Sequence, residues 1–267
     1  MFDERVSDSI LVILCFFKLN TMIESIKNRR TIRKYSDKPV TKELVYSLLE
    51  VASRAATMGN MQLYSVIVTE SDEMKEVLSP IHFNQPMVKS APLVLTFCAD
   101  FNRFTKWCKE RNANPGYDNF LSFMNAVSDT LLLVQNFCTL AEDEGLGTCY
   151  LGTTVYNATQ IIDALKLPKL TFPIATITIG YPSEVPTQPD RLSVSSFVHN
   201  EFYCDYDSDM INAIYEAKES LDENKHFVCI NNKENLAQVF TDLRYTKDAN
   251  EAISDVLLDV LKRQQFL

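Results

Sequence analysis

Residues 27 to 34 read Lys-Asn-Arg-Arg-Thr-Ile-Arg-Lys, five basic residues in eight. The chain as a whole is acidic, with 26 Lys and Arg against 35 Asp and Glu and a formal net charge of −9. A cationic run on such a background can be a solvated face, a nucleic-acid arm or a phosphate site. The planar fork of arginine suits phosphate oxygens, and hydrogen bonds to charged groups contribute about 1.5–3 kcal/mol each. Ile32 lies inside the run, so part of it faces inward. No aromatic platform for stacking bases accompanies it, and the overall negative charge offers no general attraction to nucleic acid or anionic lipid.

Glycine points the same way by its scarcity. The 267 residues include six glycines, at 59, 116, 145, 147, 152 and 180, about 2% against an average near 7%. They form no G-x-G-x-x-G, no G-x-x-x-x-G-K-[ST] and no G-x-S-x-G. Glycine-rich phosphate cradles and the esterase elbow are excluded in their usual forms. If the protein holds a phosphate, side chains must do much of the holding.

Other reactive residue types fit packing better than chemistry. The seven cysteines are widely spaced and form no C-x-x-C, which fits free thiols in a reducing, cytoplasmic setting. Three scattered histidines, His82, His199 and His226, provide no recognisable metal set, and no metal is expected. Cys149 reads as an inert packed thiol and His199 as structural. Glu142, Asp143 and Glu144 read as a solvated helix end, mildly unfavourable for the helix dipole and offset by a turn or ion pair.

The elements that would position these residues begin after a short apolar run. Ile10 to Phe17 (ILVILCFF) is eight residues long, where a membrane helix needs about 20. Asp3, Glu4 and Asp8 do not make a signal peptide's basic start. Residues 1–21 read as an N-terminal extension, with Met22 a possible true start, and residues 22–267 as one domain. Helices are expected at 22–28, at 41–57 behind a Thr41 cap, at 101–111, 119–144, 158–165, 207–221 and 250–263. Leu131 to Val134 sweeps most of the circumference of the long helix, so it must bury several faces, centrally or at a subunit interface. Residues 65–69, 93–99, 148–151 and 173–180 read as strands. Residues 183–206 look extended, and 222–249 have no clear period. The order indicates an α+β fold with too few alternating strands for a doubly wound sheet.

Met22 to Tyr35 (MIESIKNRRTIRKY), followed by Asp37-Lys38-Pro39-Val40, resembles the opening of the nitroreductase family of FMN-dependent oxidoreductases. Further matches follow in order: Thr57 to Gln62, Phe83 to Gln85, Cys98 to Arg103, Asp129-Thr130 through Gly147, Tyr150 to Thr153, Leu165 to Pro168 and Ile179 to Pro182. The likeness spans about residues 22–205 and is strongest to oxygen-insensitive NADPH nitroreductases and NADPH–flavin reductases.

The resemblance implies a central mixed sheet flanked by helices, a long buried central helix, an extended C-terminal arm, and FMN in a cleft at a homodimer interface. By position it places Arg29, Arg30, Thr31 and Arg33 around the FMN phosphate and the polar edge of the flavin. Thr57 and Asn60 match a loop reaching the partner's FMN, and Gln85 a side chain bonding the ring. Tyr150, Leu151, Gly152 and Thr153 match the turn whose amides approach the flavin. Arg191 matches a second phosphate arginine, although Pro189-Asp190-Arg191 stands where the family often has Lys-x-Arg. The implied reaction passes hydride from NAD(P)H, NADPH before NADH, through FMN to nitroaromatics, quinones or free flavin, by ping-pong kinetics and with no protein general base. Lys225, Lys233, Arg244 and Lys247 are candidates for the coenzyme's extra phosphate. Another reductive reaction on the same fold, or a flavin-binding protein without turnover, are the alternatives.

Overall fold

Residues 93–99 and 171–179 are unbroken runs of apolar and β-branched side chains, and each becomes most of a fully buried strand. In the computed structural model, which describes residues 23–267, they form the middle of a four-stranded sheet. Its strands are β1 (Tyr64–Thr69), β2 (Leu93–Asp100), β3 (Gly147–Leu151) and β4 (Thr171–Gly180), in the order β1-β2-β4-β3. The run Ile10 to Phe17 and the suggested start at Met22 lie outside the described residues.

All three pairings are antiparallel, which corrects the expected mixed sheet. The cause is where the connections return. Thr69 ends β1 opposite Val94 at the start of β2, so the intervening chain comes back to the end it left. A parallel partner would require a crossover along the whole strand. The returning segment carries α1's successors in the chain, two helices absent from the sequence reading. With α1 as Lys42–Ala52, these are α2 (Asp72–Ile81) and α3 (Pro86–Ser90). Ser71 caps α2 by accepting from the Met74 amide at 3.3 Å.

Helices cover both faces of the sheet. Leu93, Leu95 and Phe97 of β2 join Ala175, Ile177 and Ile179 of β4 in a cluster with α1 and α5 (Phe120–Asp143). Val45, Leu48 and Ala52 of α1 and Leu133, Val134, Phe137 and Ala141 of α5 fill it. Val94, on the opposite face, packs with Leu78, Met87, Val88 and Ile161 from α2, α3 and α6 (Ala158–Leu165). This is the two-residue alternation of a strand covered on both sides. Phe97 and Phe137 are wholly buried with ring centroids 5.7 Å apart, and each such side chain contributes about 1.5–3 kcal/mol.

Helix ends follow local chemistry. Thr41 accepts from Leu44 N at 3.2 Å, as expected, but α1 stops at Ala52 rather than 57. There Ser53 Oγ turns back to the Glu50 carbonyl at 2.7 Å. Asn119 caps α5, accepting from Ser122 N at 3.0 Å. Gly145, at φ 78°, ends that helix, while Leu146 N donates to Ala141 O at 2.9 Å and Gly145 N to Glu142 O at 3.1 Å. These two bonds are the Schellman pattern, which needs a left-handed residue.

The described residues divide into two compact units, one reaching to Thr187 and resuming at Leu257–Leu267, the other Gln188–Val256. In the first, α4 (Asn102–Glu110) follows β2, and the C-terminal residues close the core. Phe266 is buried 5.2 Å from Phe123, and Gln264 Nε2 donates to the carbonyls of Pro168 at 2.9 Å and Thr171 at 2.6 Å. The second unit holds α7 (Ser208–Glu219), α8 (Asp222–Ile230), α9 (Leu236–Val239) and a π-turn at Phe240–Arg244. Their lengths of 9, 4 and 5 residues after α7 explain why 222–249 show no period. Helix α10 (Lys247–Arg263) runs from one unit's sequence into the other's.

Residues 32–36 zip onto the sheet. Ile32 N donates to Thr148 O at 3.0 Å, Ser36 N to Tyr181 O at 2.8 Å, and Ser183 N to Lys34 O at 3.1 Å. Gly147 is required where they meet, since a Cβ there would lie 2.5 Å from Ile32 Cβ. Gly147→Ala is therefore expected to destabilise the protein by about 1–3 kcal/mol through overpacking. Urea unfolding measures this, and an unchanged midpoint would show that residue 32 moves freely.

Candidate functional site

The zipped segment delivers the arginines to the end of β3. Arg29 Nε is 3.4 Å from Glu142 Oε1, and Thr148 Oγ1 donates to the same oxygen at 2.5 Å. Glu142 is thus not the solvated helix end expected: its side chain is 12% exposed. Burial raises its pKa, with the Thr148 bond and Arg29 opposing. Three guanidinium groups within five residues repel one another, and a buried carboxylate among them offsets that repulsion.

The other two arginines differ from Arg29. Arg30 Nε is buried and has no hydrogen-bond partner among the described residues. Arg33 is exposed on the same segment beside Cys149. The Cys149 thiol is raised in pKa by burial, with Arg33 and Arg29 opposing, so it stays a packed thiol. Thr31 is half-buried between Arg30 and Ile32. Tyr35 anchors the far end, its hydroxyl bonding Ile32 O at 3.0 Å and Thr178 Oγ1 at 2.7 Å. Arg30 and Arg33 could hold an anionic group. An unfilled buried guanidinium donor is costly unless a ligand completes it.

Strand β3 ends with Tyr150 and Leu151 and continues into a turn at Gly152 and Thr153, to which Gln85 is linked through His82. His82 Nδ1 lies 2.7 Å from Thr153 Oγ1, and the His82 carbonyl accepts from Gln85 Nε2 at 3.2 Å. Asn157 Nδ2 adds a bond to Ile81 O at 2.5 Å. Phe83 and Asn84 both take positive φ, 57° and 53°, turning the chain sharply between His82 and Gln85. The segment carrying Arg29, Arg30, Thr31 and Arg33 is thus bonded to the start of β3 at Thr148, and Gln85 is bonded to His82, whose ring reaches Thr153 beyond Tyr150, Leu151 and Gly152.

The loop carrying Thr57 and Asn60 is held separately, on α5. The buried Asp129 carboxylate accepts from Thr57 Oγ1 at 2.5 Å, Met58 N at 2.8 Å and Leu63 N at 3.1 Å. Such anchoring is needed, because Gly59, Asn60 and Gln62 all have φ near 55°. Arg191 lies in the second unit, exposed, with Nη1 on the Asp190 carbonyl at 2.8 Å. It borders a cleft of about 700 Å³ within that unit, where Asp190 pairs with Lys218 at 2.9 Å. Of the four cations considered for a coenzyme phosphate, Lys233 pairs with Asp242 at 2.9 Å and Lys247 with Glu251 at 3.7 Å. Arg244 stacks over Phe227 at 4.7 Å, and Lys225 borders a smaller pocket.

Sequence reading missed His82, Asp129 and Glu142 as parts of the site. Asp129 did leave a trace: it sits on the buried stripe of α5 with Ala126, Thr130 and Leu133, and a carboxylate there must find partners. His82 is fully buried, and burial lowers its pKa from 6.5 to about 4. The unfolded chain therefore binds a proton that the folded one refuses, so stability is full above pH 6.5 and falls as pH drops toward 4. The loss expected from this group is about 3 kcal/mol. Denaturant titrations across that window should show a smaller slope in His82→Phe, and equal slopes would refute the assignment.

Residues 26–181 match the nitroreductase family. The chain is 31% identical over 191 residues to the FMN reductase [NAD(P)H] of Bacillus subtilis (strain 168), covering 71% of this chain and 77% of that protein. It is 30% identical over 193 residues to the oxygen-insensitive NADPH nitroreductase of Salmonella typhimurium, covering 72% and 79%. A solved structure from Bacteroides fragilis NCTC 9343 superposes with a TM-score of 0.90 at 62% identity, covering 91% of this chain and 99% of that one. The match over more than half of the chain, the two curated relatives and the superposing structure agree: the chain belongs to the nitroreductase family of oxidoreductases.

Proposed function

We propose that the protein oxidises NAD(P)H, NADPH in preference to NADH, and reduces nitroaromatics, quinones or free flavin, with FMN as its bound cofactor. The buried, unpartnered Nε of Arg30 carries the reading. It is a fixed cationic donor on a segment held by backbone bonds to β3, a fit for the phosphate of FMN. When bound, FMN supplies the two-electron chemistry between the reduced coenzyme and the acceptor.

The chain's own residues bind and orient. Arg30, Arg33 and Thr31 hold the phosphate end, with Arg29 kept nearby by Glu142. Gln85 and the turn Tyr150, Leu151, Gly152 and Thr153 present polar groups to the ring, and Thr57 and Asn60 reach the cofactor of a partner subunit. Arg191 is proposed for the phosphate on its sequence match alone. Residues 22–267 serve one FMN-binding domain on this reading, and no protein group is asked to carry a proton. Coenzyme and acceptor use one pocket in turn.

A homodimer is supported by α5. Phe120, Leu121, Met124, Leu131 and Leu132 are exposed in the single chain, and at 100° per residue they share a stripe about a third of the circumference wide. A second copy of the same helix covers such a stripe. A cytoplasmic location agrees with six free cysteines among the described residues. No helix among those residues is long and apolar enough to cross a membrane.

The purified protein should be yellow, sediment as a dimer and bleach rapidly on anaerobic addition of NADPH. A protein that takes up no FMN, or a monomer that binds it fully, would contradict these parts of the reading. Arg30→Ala and Arg33→Ala should each weaken FMN binding roughly 10–100-fold while the fold stays intact. Stoichiometric FMN in the double variant would remove the phosphate role. Initial rates with NADPH and a nitrofuran should give parallel double-reciprocal lines, and intersecting lines would exclude a single shared pocket.

A further inference from the structure

His82 is buried at the end of α2, outside the short motifs that carried the family resemblance. Its Nδ1 meets Thr153 Oγ1 at 2.7 Å, and its Nε2 is buried with no partner among the described residues. The Thr153 hydroxyl has this bond and no other among those residues. One proton is thus shared between two ring nitrogens and decides the polarity of the contact.

We infer that His82 is a positioning residue which holds its proton on Nδ1, donates it to Thr153 Oγ1, and so leaves the Thr153 hydroxyl hydrogen free to be donated to a ligand at the β3–α6 turn. The inference rests on the reading of that turn as cofactor-facing. With the proton on Nε2 instead, a buried N–H would be orphaned, and Thr153 would spend its only hydrogen on the imidazole. Orphaned buried N–H groups are the rarer defect in folded proteins. With the proton on Nδ1 the cost is one unfilled lone pair, and the hydroxyl becomes an outward donor. A hydroxyl of that polarity favours a ligand atom that gains negative charge. The same histidine fixes Gln85 through its carbonyl, which receives both Gln85 N and Gln85 Nε2 at 3.2 Å. One buried residue therefore contacts two groups from different elements, Thr153 through its ring and Gln85 through its backbone carbonyl. Burial keeps the ring neutral near pH 7, with its pKa lowered to about 4.

The tautomer is read directly from the full-length protein without cofactor, labelled with 15N-histidine, by long-range 1H–15N correlation at pH 7. A protonated Nδ1 and bare Nε2 are expected, and the reverse pattern overturns the inference. FMN titration provides the second readout. The amide of His82→Asn places an N–H near the Nδ1 position and should keep FMN affinity within a few-fold of the parent. His82→Phe should raise the dissociation constant about tenfold, the loss of one polar contact. Adding His82→Phe to Thr153→Val should cost nothing further. Equal losses in the Asn and Phe variants, or additive losses in the double variant, would overturn the coupling. A parent protein that takes up no FMN would overturn the cofactor reading instead, and the nitrogen shifts decide the tautomer on their own.

Discussion

Guanidinium groups set close together repel, and none can shed its charge at any pH a cell reaches. Everything around β3 answers that constraint. Arg29 is paired with a carboxylate brought up from the end of α5, and Arg33 lies out in solvent. Arg30 alone is left with a buried, unfilled nitrogen. The segment cannot swing away to relieve the strain, because Ile32 is bonded to β3 and its side chain fills the space over Gly147. An anion bound at Arg30, as proposed, would relieve that tension, and the donor it would meet is fixed by the sheet rather than by a loop.

The sheet provides the rigidity on which this depends. Its two central strands are buried on both sides, and a strand so covered has no freedom to shift register. Three polar side chains then transmit that rigidity to the groups that matter. Asp129 holds a loop of left-handed residues, His82 ties one helix end to the turn after β3, and Glu142 fixes Arg29. None of the three is among the residues expected to touch the cofactor. Each is buried, and each would be costly without its partners. The placement of the loop, the turn and Arg29 is set by these three buried side chains as much as by the residues they hold.

What was legible in the sequence was local. Runs such as SVIVT and PIATITIG declare strands and the stripe of α5 declares a long helix, whereas the crowded arginines left a solvated face, a nucleic-acid arm and a phosphate site open until the family resemblance ranked them. What was hidden depended on distance along the chain. Thr57 and Asp129 are 72 residues apart, and His82 and Thr153 are 71 apart, so no window of sequence contains either pair. Helix α2 was missed for a local reason: Pro80 sits within it and Val77 faces solvent, which blurs its period. The direction of strand pairing was likewise invisible, since it depends on where a connection returns and not on what the strands contain.

Residues 257–267 rejoin the first unit after the whole second unit has intervened. Phe266 fills a hole beside Phe123, and Gln264 satisfies two carbonyls that border β4. During synthesis the sheet and its covering helices leave the ribosome with that hole open and those carbonyls bare. The core is therefore sealed last by the segment made last, a plug that lies 77 to 96 residues beyond β4 (257 − 180 and 267 − 171). Completion of this apolar cluster therefore waits for residues 257–267 to be translated, whatever the intrinsic rate at which the sheet folds.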